Sequence, residues 1–225
     1  MTENIKETKN FSLVVLLDAS GSMEKMGKEP VDGINNFFKE QSKSGEITAT
    51  LAIFNDSVKY LYENIKGPNI KELEYTDYKP NGMTALYDSI AHVVSTQKEQ
   101  NSENVIFIIL TDGEENTSRE YKRKDIKALI TEMETVHKWK FVYLGANQDS
   151  FEVGVSIGIR TSGDYDYTPL GCRNVMRSVS ECVSRCVSQE VPIDKFELNI
   201  PTLKRDGVST HTSAPMSSLR RTDSC

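Results

Sequence analysis

FSLVVLLDASGS, residues 11–22, is the stretch that decides the fold of this chain. Its first seven letters form a nearly continuous apolar run, which is typical of a strand buried on both faces, as in a parallel sheet. The run ends in Asp18, Ser20 and Ser22, and Gly21 permits a tight bend between the two serines. The stretch therefore predicts a buried strand that delivers three oxygen-bearing side chains to one end of a sheet.

A second apolar run, VIFIIL at residues 105–110, leads into Thr111, Asp112 and Gly113. Around these two runs, strand-like segments alternate with amphipathic helical ones. This alternation predicts an α/β fold of three layers, α/β/α, with a doubly wound and mostly parallel sheet. The predicted further strands are 47–54, an antiparallel edge strand at 57–62, and 140–144. The predicted helices begin at Pro30 and at Thr84, which is expected to act as a cap, and span 118–137, 150–158 and 169–189.

Composition narrows the classes of function. The 225 residues fit one α/β domain with an appendage, and the formal net charge of −6 without a long basic stripe disfavours binding to nucleic acid. No apolar run is long enough to span a membrane. The first ten residues are polar and lack the apolar segment of a secretory signal, so we expect a cytoplasmic protein, in which the four cysteines form no disulfide framework.

Ligands bind parallel sheets outside the carboxyl ends of the strands, where the winding of the chain reverses. The loops after residues 17 and 110 are therefore the first candidates for a site, together with the loop PNGMT at residues 80–84. The candidate ligands Asp18, Ser20, Ser22, Thr84 and Asp112 carry hard oxygen atoms, which suit Mg²⁺. The hydroxyls could bind the ion directly, and the two carboxylates could bind it directly or through water. An ion held mostly by neutral direct ligands would remain electron-poor and could accept a carboxylate from a partner.

DASGS at 18–22, the Gly82-Met83-Thr84 loop and TDG at 111–113 resemble, in this order, the metal-ion-dependent adhesion site (MIDAS) of von Willebrand factor A domains. The resemblance covers about residues 10–160, and the stretch YLGANQD at 143–149 is closest to stand-alone bacterial and phage members. It implies a Rossmann-like open sheet with strand order 3-2-1-4-5-6, and a single divalent-metal site. Mg²⁺ is the expected ion, with Mn²⁺ or Ca²⁺ possible. The site residues that it implies are Asp18, Ser20, Ser22, Thr84 and Asp112.

The function expected from this reasoning is cation-dependent binding of an Asp or Glu carboxylate of another protein. We expect no enzymatic activity, and neither a nucleic acid nor a membrane as partner. Three alternatives stay open. Asp18 and Ser22 could simply cap loops, with Asp112 a turn residue. The chain could be an Mg²⁺-dependent hydrolase or phosphotransfer enzyme, for which the sequence offers Asp88, Glu114 and Glu115 near the site but no histidine. The metal could also merely stiffen a structural or assembly protein.

Other motifs give weaker signals. GVSIG at 154–158 matches the nucleophile elbow of hydrolases, but no strand runs directly into Ser156, and the only histidine downstream is His211. Asp18 lacks the second carboxylate two residues on that a phosphoaspartate phosphatase needs. Cys182 and Cys186 share a helix face that Val175 and Val179 extend, so buried packing is favoured over a metal site. Cys172 could supply a third ligand to such a site, but no neighbouring His or Cys pair completes four.

The expected organisation is one domain over residues 10–189, whose core ends near 160 and whose last helix covers about 169–189. Residues 190–225 form an extension, and the part from about residue 204 is rich in polar residues and expected to be disordered.

Overall fold

The two strongest apolar runs lie side by side in this computed structural model, which describes residues 9–146, 150–196 and 198. Strand β1 (Phe11–Asp18) is buried along its whole length and pairs in parallel with strand β4 (Val105–Thr111). Their registers place Leu17 opposite Leu110, so both strands end at the same edge of the sheet. The polar residues that follow each strand are therefore brought to one place.

Four further strands complete a six-stranded sheet with the order β3-β2-β1-β4-β5-β6. Only β3 runs antiparallel, against β2, and it forms one edge. The fold class and the strand order expected from the sequence are thus confirmed. The additional strands are β2 (Ile47–Phe54), β3 (Val58–Lys66), β5 (Lys140–Ala146) and β6 (Thr161–Tyr165).

Helices cover both faces of the sheet, because side chains of a strand point alternately to its two faces. Leu13, Val15 and Leu17 of β1 pack on the face covered by α1 and α5, whereas Val14 and Leu16 pack on the face covered by α2, α3 and α4. Each fully buried side chain of this kind contributes about 1.5–3 kcal/mol. The helices are α1 (Glu29–Ser44), α2 (Leu86–Glu99), α3 (Arg123–Thr135), α4 (Ser150–Ser156) and α5 (Pro169–Val187).

The chain leaves β1 towards α1 on one face of the sheet and leaves β4 towards α3 on the other. The loops after the two strands therefore diverge and leave a crevice between them, as expected where winding reverses. A short 3-10 segment, Gly21–Met26, follows β1 at this crevice.

Two expectations about elements were wrong, and the position of one strand was missed. Helix α2 begins at Leu86 and its cap position is Ala85, so Thr84 does not cap it. Helix α3 begins at Arg123 rather than at residue 118, because side chains of neighbouring segments bind the backbone of the preceding loop. The resemblance implies a sixth strand, but its position was not predicted, since the sequence TSGDY of β6 contains a glycine and little apolar patterning.

Beyond α5, Phe196 is buried against the core, with Val191 and Ile193 partly buried beside it. The expected disorder from about residue 204 lies outside the described residues. In the described part of the chain, no helix is both long and apolar enough to cross a bilayer.

Candidate metal centre

Asp18, the last residue of β1, is fully buried at the crevice. Its Oδ1 accepts the backbone N–H of Ser20 at 2.7 Å, and its Oδ2 accepts the hydroxyl of Thr111 at 2.6 Å. Burial raises the pKa of the carboxyl from 3.8 to about 6, and the nearby charge of Asp112 adds to this increase. Burial of the ionised Asp18 carboxylate therefore destabilises the folded state, and the two hydrogen bonds of Asp18 offset only part of this effect.

Ser20 and Ser22 connect the end of β1 with the end of β4. The hydroxyl of Ser22 donates to Oδ1 of Asp112 at 2.7 Å, although 90 residues separate the two. Because that bond uses the only proton of Ser22, the 3.1 Å contact between the two serine oxygens is donated by Ser20. Four of the five predicted site residues thus form one connected group.

Thr84 approaches this group from the loop before α2. Its N–H donates to Oδ1 of Asn116 at 2.9 Å, and its carbonyl accepts the N–H of Asn116 at 3.1 Å. The hydroxyl of Thr84 lies close to Gly113, as does the hydroxyl of Ser22. A Cβ atom added to Gly113 would lie 3.4 Å from Oγ1 of Thr84 and 3.8 Å from Oγ of Ser22. All five predicted residues therefore border the same small volume.

The donor set fits a hard divalent cation. Oδ2 of Asp112 is buried and has no hydrogen-bond partner among the residues that the structure describes, which is costly unless something else neutralises it. The other groups are hydroxyls and one more carboxylate, the ligand types that suit Mg²⁺, Mn²⁺ and Ca²⁺. The alternative in which Asp18 only organises a turn accounts for its bond to Ser20, but it leaves the isolated oxygen of Asp112 unexplained.

Several residues that support the site were missed by sequence reasoning. Tyr78 donates to the backbone carbonyl of Asp18 at 2.7 Å, and Tyr165 donates to that of Thr111 at 3.1 Å, so each strand end is held by a buried tyrosine. Burial raises the pKa of both hydroxyls well above the usual value, which keeps them protonated donors. No sequence signal marked them, because Tyr78 lies in a stretch without clear periodicity and Tyr165 in strand β6, whose position was not predicted.

Tyr167, between β6 and α5, also reaches the crevice. Its hydroxyl donates to the backbone carbonyl of Ser22. Burial and the neighbouring Asp112 carboxylate raise the pKa of this hydroxyl to about 12. The segment that leads into α5 is thereby attached to the loop after β1.

Glycines shape the loops, though not as expected. Gly21 lies outside the set of glycines with positive φ, and a Cβ there would meet only ordinary contacts, so a tight bend does not explain it. Gly82 has φ +75°, and a Cβ there would lie 2.2 Å from Oδ2 of Asp56. The carbonyl of Gly82 accepts the N–H of Gly21 at 3.2 Å, which joins the loop of Thr84 to the loop after β1.

Two of the acidic residues considered as catalytic bases serve the backbone instead. Glu115 accepts the N–H groups of Tyr87, Thr117 and Ser118 at 2.7–2.9 Å, so it organises the loop and the start of α2 and is more than a solvated turn residue. Asp88 accepts three consecutive backbone N–H groups, those of residues 119–121. Both carboxylates are therefore engaged, and Glu115 supplies the capping expected from Thr84.

The weaker motifs do not assemble into sites. Ser156 ends helix α4, and its hydroxyl donates to the carbonyl of Val153 at 2.7 Å, so it is not a nucleophile elbow. Cys172 and Cys186 are buried and Cys182 is half-buried, all three as free thiols. Within the described residues, no cluster of three or more His, Cys, Asp or Glu could hold a metal ion.

Known structures resemble this architecture at low sequence identity. The von Willebrand factor type A protein from Catenulispora acidiphila matches with TM-score 0.56 and 16% identity, over 78% of this chain and 43% of that one. The chain has the von Willebrand factor A fold. Proximal thread matrix protein 1 of the mussel byssus, with a zinc-occupied MIDAS motif, shares this A-domain fold with TM-score 0.55 and 16% identity, over 76% and 47% of the two chains.

Manganese-loaded TRAP protein of Plasmodium vivax has the same A-domain fold, with TM-score 0.51 and 14% identity over 71% of this chain and 70% of that one. The chain spans less than half the length of the other two structures. No protein-family model and no curated relative matches the sequence.

Proposed function

We propose that the chain is a divalent-cation-dependent interaction module in which Asp18, Ser20, Ser22, Thr84 and Asp112 hold one Mg²⁺. A bound Mg²⁺ supplies a positive charge with a coordination position that a carboxylate of another protein can take. The module would comprise residues 10–189, with residues 190–225 as an extension. A cytoplasmic location is part of the proposal, supported by the free thiols of Cys172, Cys182 and Cys186.

The observation that carries the proposal is the convergence of three distant loops on oxygen atoms. Ser22 bonds Asp112, Thr84 lies against Gly113, and Oδ2 of Asp112 is left without a partner. Asp18 and Asp112 carry like charges close enough for one to raise the pKa of the other, and a cation between them would relieve that repulsion. Two solved structures with the same fold are named for a zinc-occupied MIDAS motif and for bound manganese, which supports a divalent ion in this position.

A docking role is favoured over an enzymatic one by the surroundings of the site. Asp88 and Glu115 accept several backbone hydrogen bonds each, and a carboxylate so engaged is a poor general base. His92 lies against the ring of Tyr60, and His137 lies 4.0 Å from Glu132, so both belong to other surfaces. Met83, next to Thr84, is 49% exposed and offers an apolar contact beside the site.

Binding of the metal is tested by calorimetric titration with Mg²⁺. Asp112→Asn and Thr84→Ala are expected to weaken binding at least about tenfold, because each removes a ligand oxygen or its charge. Glu114→Gln is the matched control, since Glu114 is an exposed acid two residues from Asp112 and is not one of the proposed ligands, and it should bind like the wild type. Equal affinity in all four proteins would refute the metal site.

The docking role is tested separately with Mn²⁺ as a relaxation probe. A docking site keeps an exchangeable water, so the bound ion should enhance water-proton relaxation, and acetate should reduce this enhancement whereas acetamide should not. Bound Mn²⁺ that does not enhance water-proton relaxation would indicate a closed site that only stiffens the loops. The same conclusion would follow if acetate left the enhancement unchanged.

A further inference from the structure

The loop that leads into α3 carries a concentrated positive charge on an acidic protein. Residues 122–124 read KRK, the only run of three basic residues in a chain with formal net charge −6. We use the term basic strap for residues 119–124, whose cations are Arg119, Lys122, Arg123 and Lys124. All four side chains are exposed, as is Tyr121.

The cations of the basic strap are not neutralised internally. Among the residues that the structure describes, the ion pairs within 4.0 Å involve other side chains. Arg123 donates from Nε to the hydroxyl of Tyr87 at 3.3 Å and lines a shallow cavity with Glu114, Glu115 and Glu152, none of which lies within ion-pair distance of it. The side chains of Arg119, Lys122 and Lys124 are exposed to the solvent.

The basic strap is held in place next to the metal centre. The carboxylate of Asp88 accepts the N–H groups of Arg119 at 2.7 Å, Glu120 at 3.1 Å and Tyr121 at 2.8 Å. Asp88 lies in the first turn of α2, which begins two residues after Thr84, and Asn116 of the loop before the strap is hydrogen-bonded to the backbone of Thr84. The basic strap therefore belongs to the same connected group of segments as Thr84 of the candidate metal centre.

The position of these cations is unfavourable for the fold itself. Lys122 is the N-cap of α3, and Arg123 and Lys124 are its first two residues, where the positive end of the helix dipole disfavours cations. In the first turn of α3, Asp125 counters this effect by accepting the N–H of Lys122 at 2.9 Å. Exposed cations that oppose the helix dipole and form no ion pair among the described residues are available to bind an external anion.

We propose that the basic strap binds acidic side chains of the same protein partner whose carboxylate reaches the metal centre. The inference rests on the proposed function, since it assigns that partner a second contact and specifies an acidic segment rather than a single acidic residue. A nucleic acid fits less well, because four cations on one loop of a chain with net charge −6 neutralise few phosphates, and Tyr121 is the only exposed aromatic residue of the strap on which a base could stack.

The probe is a fluorescein-labelled peptide of alternating Glu and Gly, titrated with the full chain in Mg²⁺ at low salt and followed by anisotropy. Lys122→Gln/Arg123→Gln/Lys124→Gln is expected to weaken binding about tenfold, from the loss of three exposed charge pairs. The matched control is Lys39→Gln/Lys43→Gln/Lys71→Gln, which removes the same charge from exposed lysines near the β3 edge and should change binding less than about twofold.

The strap variant should also melt at or above the wild-type temperature, because it removes cations from a helix N-terminus.

The outcomes separate this inference from the proposed function. Equal weakening by the two triple variants, no binding of the Glu-Gly peptide by the wild type, or tighter binding of an oligothymidine than of the peptide would each overturn the acidic-segment proposal. A strap variant that loses peptide binding while EDTA leaves the wild type unaffected would support the strap and refute the role of the metal.

Discussion

Asp18 illustrates how the sheet prepares a charged site at the scale of single residues. A buried carboxylate is destabilising unless it is hydrogen-bonded or paired with a cation. The structure offers Thr111 and the backbone of Ser20, yet the pKa of Asp18 is still raised to about 6. The remaining penalty is what a bound cation would relieve.

In EDTA, the free energy of unfolding is expected to fall as pH rises between 3.8 and about 6. The folded state holds the proton of Asp18 more tightly than the unfolded chain, so folding binds protons in this window and stability decreases with pH, by on the order of 3 kcal/mol. Urea denaturation at several pH values measures this slope. Asp18→Asn is the control and should flatten that part of the profile, and an unchanged profile in the variant would contradict the assignment to Asp18.

At the scale of elements, the loop between β4 and α3 is ordered by carboxylates of its own and of α2. Glu115 of the loop accepts the N–H of Tyr87 at the start of α2, and Asp88 of α2 accepts the N–H groups of residues 119–121 of the loop. The two segments thereby form one unit that includes Thr84, because Asn116 of the loop is bonded to its backbone in both directions.

Asp88→Ala should release this loop. The amides of residues 119–121 lose a charged acceptor, and their hydrogen exchange is expected to speed up about tenfold or more while the central strands keep their protection. Exchange followed by mass spectrometry measures the effect. Asp77→Ala is the matched control, since Asp77 is an exposed acid that accepts one backbone N–H, from Glu74, in another loop. Protection of residues 119–121 that survives Asp88→Ala would show that other contacts hold the loop.

The sequence predicted the elements that bury apolar stripes and missed those that depend on distant partners. Strands β1 and β4 were recognised from nearly continuous apolar runs, which end at Asp18 and just before Asp112, and β2 was recognised from its β-favouring residues. The neighbouring positions of β1 and β4 were implied by the family resemblance. The start of α3 could not be predicted, because Asp88 from another helix removes the amides of residues 119–121 from helix formation. The roles of Tyr78 and Tyr165 depend on contacts across 60 and 54 residues, which no local pattern encodes.

For the molecule as a whole, the proposed metal site lies where three loops meet, after β1, after β4 and before α2. A ligand that binds only the folded state stabilises it by RT ln(1 + [L]/Kd). Metal binding is therefore expected to act on global stability and not only on the loops.

Saturating Mg²⁺ should raise the melting temperature of the protein. At a concentration of about 100 Kd the gain is roughly 2.7 kcal/mol, or about 5–10 °C for a chain of this size. Differential scanning calorimetry with Mg²⁺ and with EDTA measures it, and Asp112→Asn should reduce the difference by about half or more. A wild type that melts at the same temperature in both conditions would argue against a site that is specific to the folded state.

The side-by-side pairing of β1 and β4 has a consequence for synthesis of the chain. A polypeptide still growing on the ribosome contains Asp18 long before Asp112 has been translated, because β2, β3 and α2 lie between them in sequence. Incomplete or misassembled copies therefore cannot display the paired carboxylates. A partner that requires both of them would ignore nascent chains and engage only finished molecules.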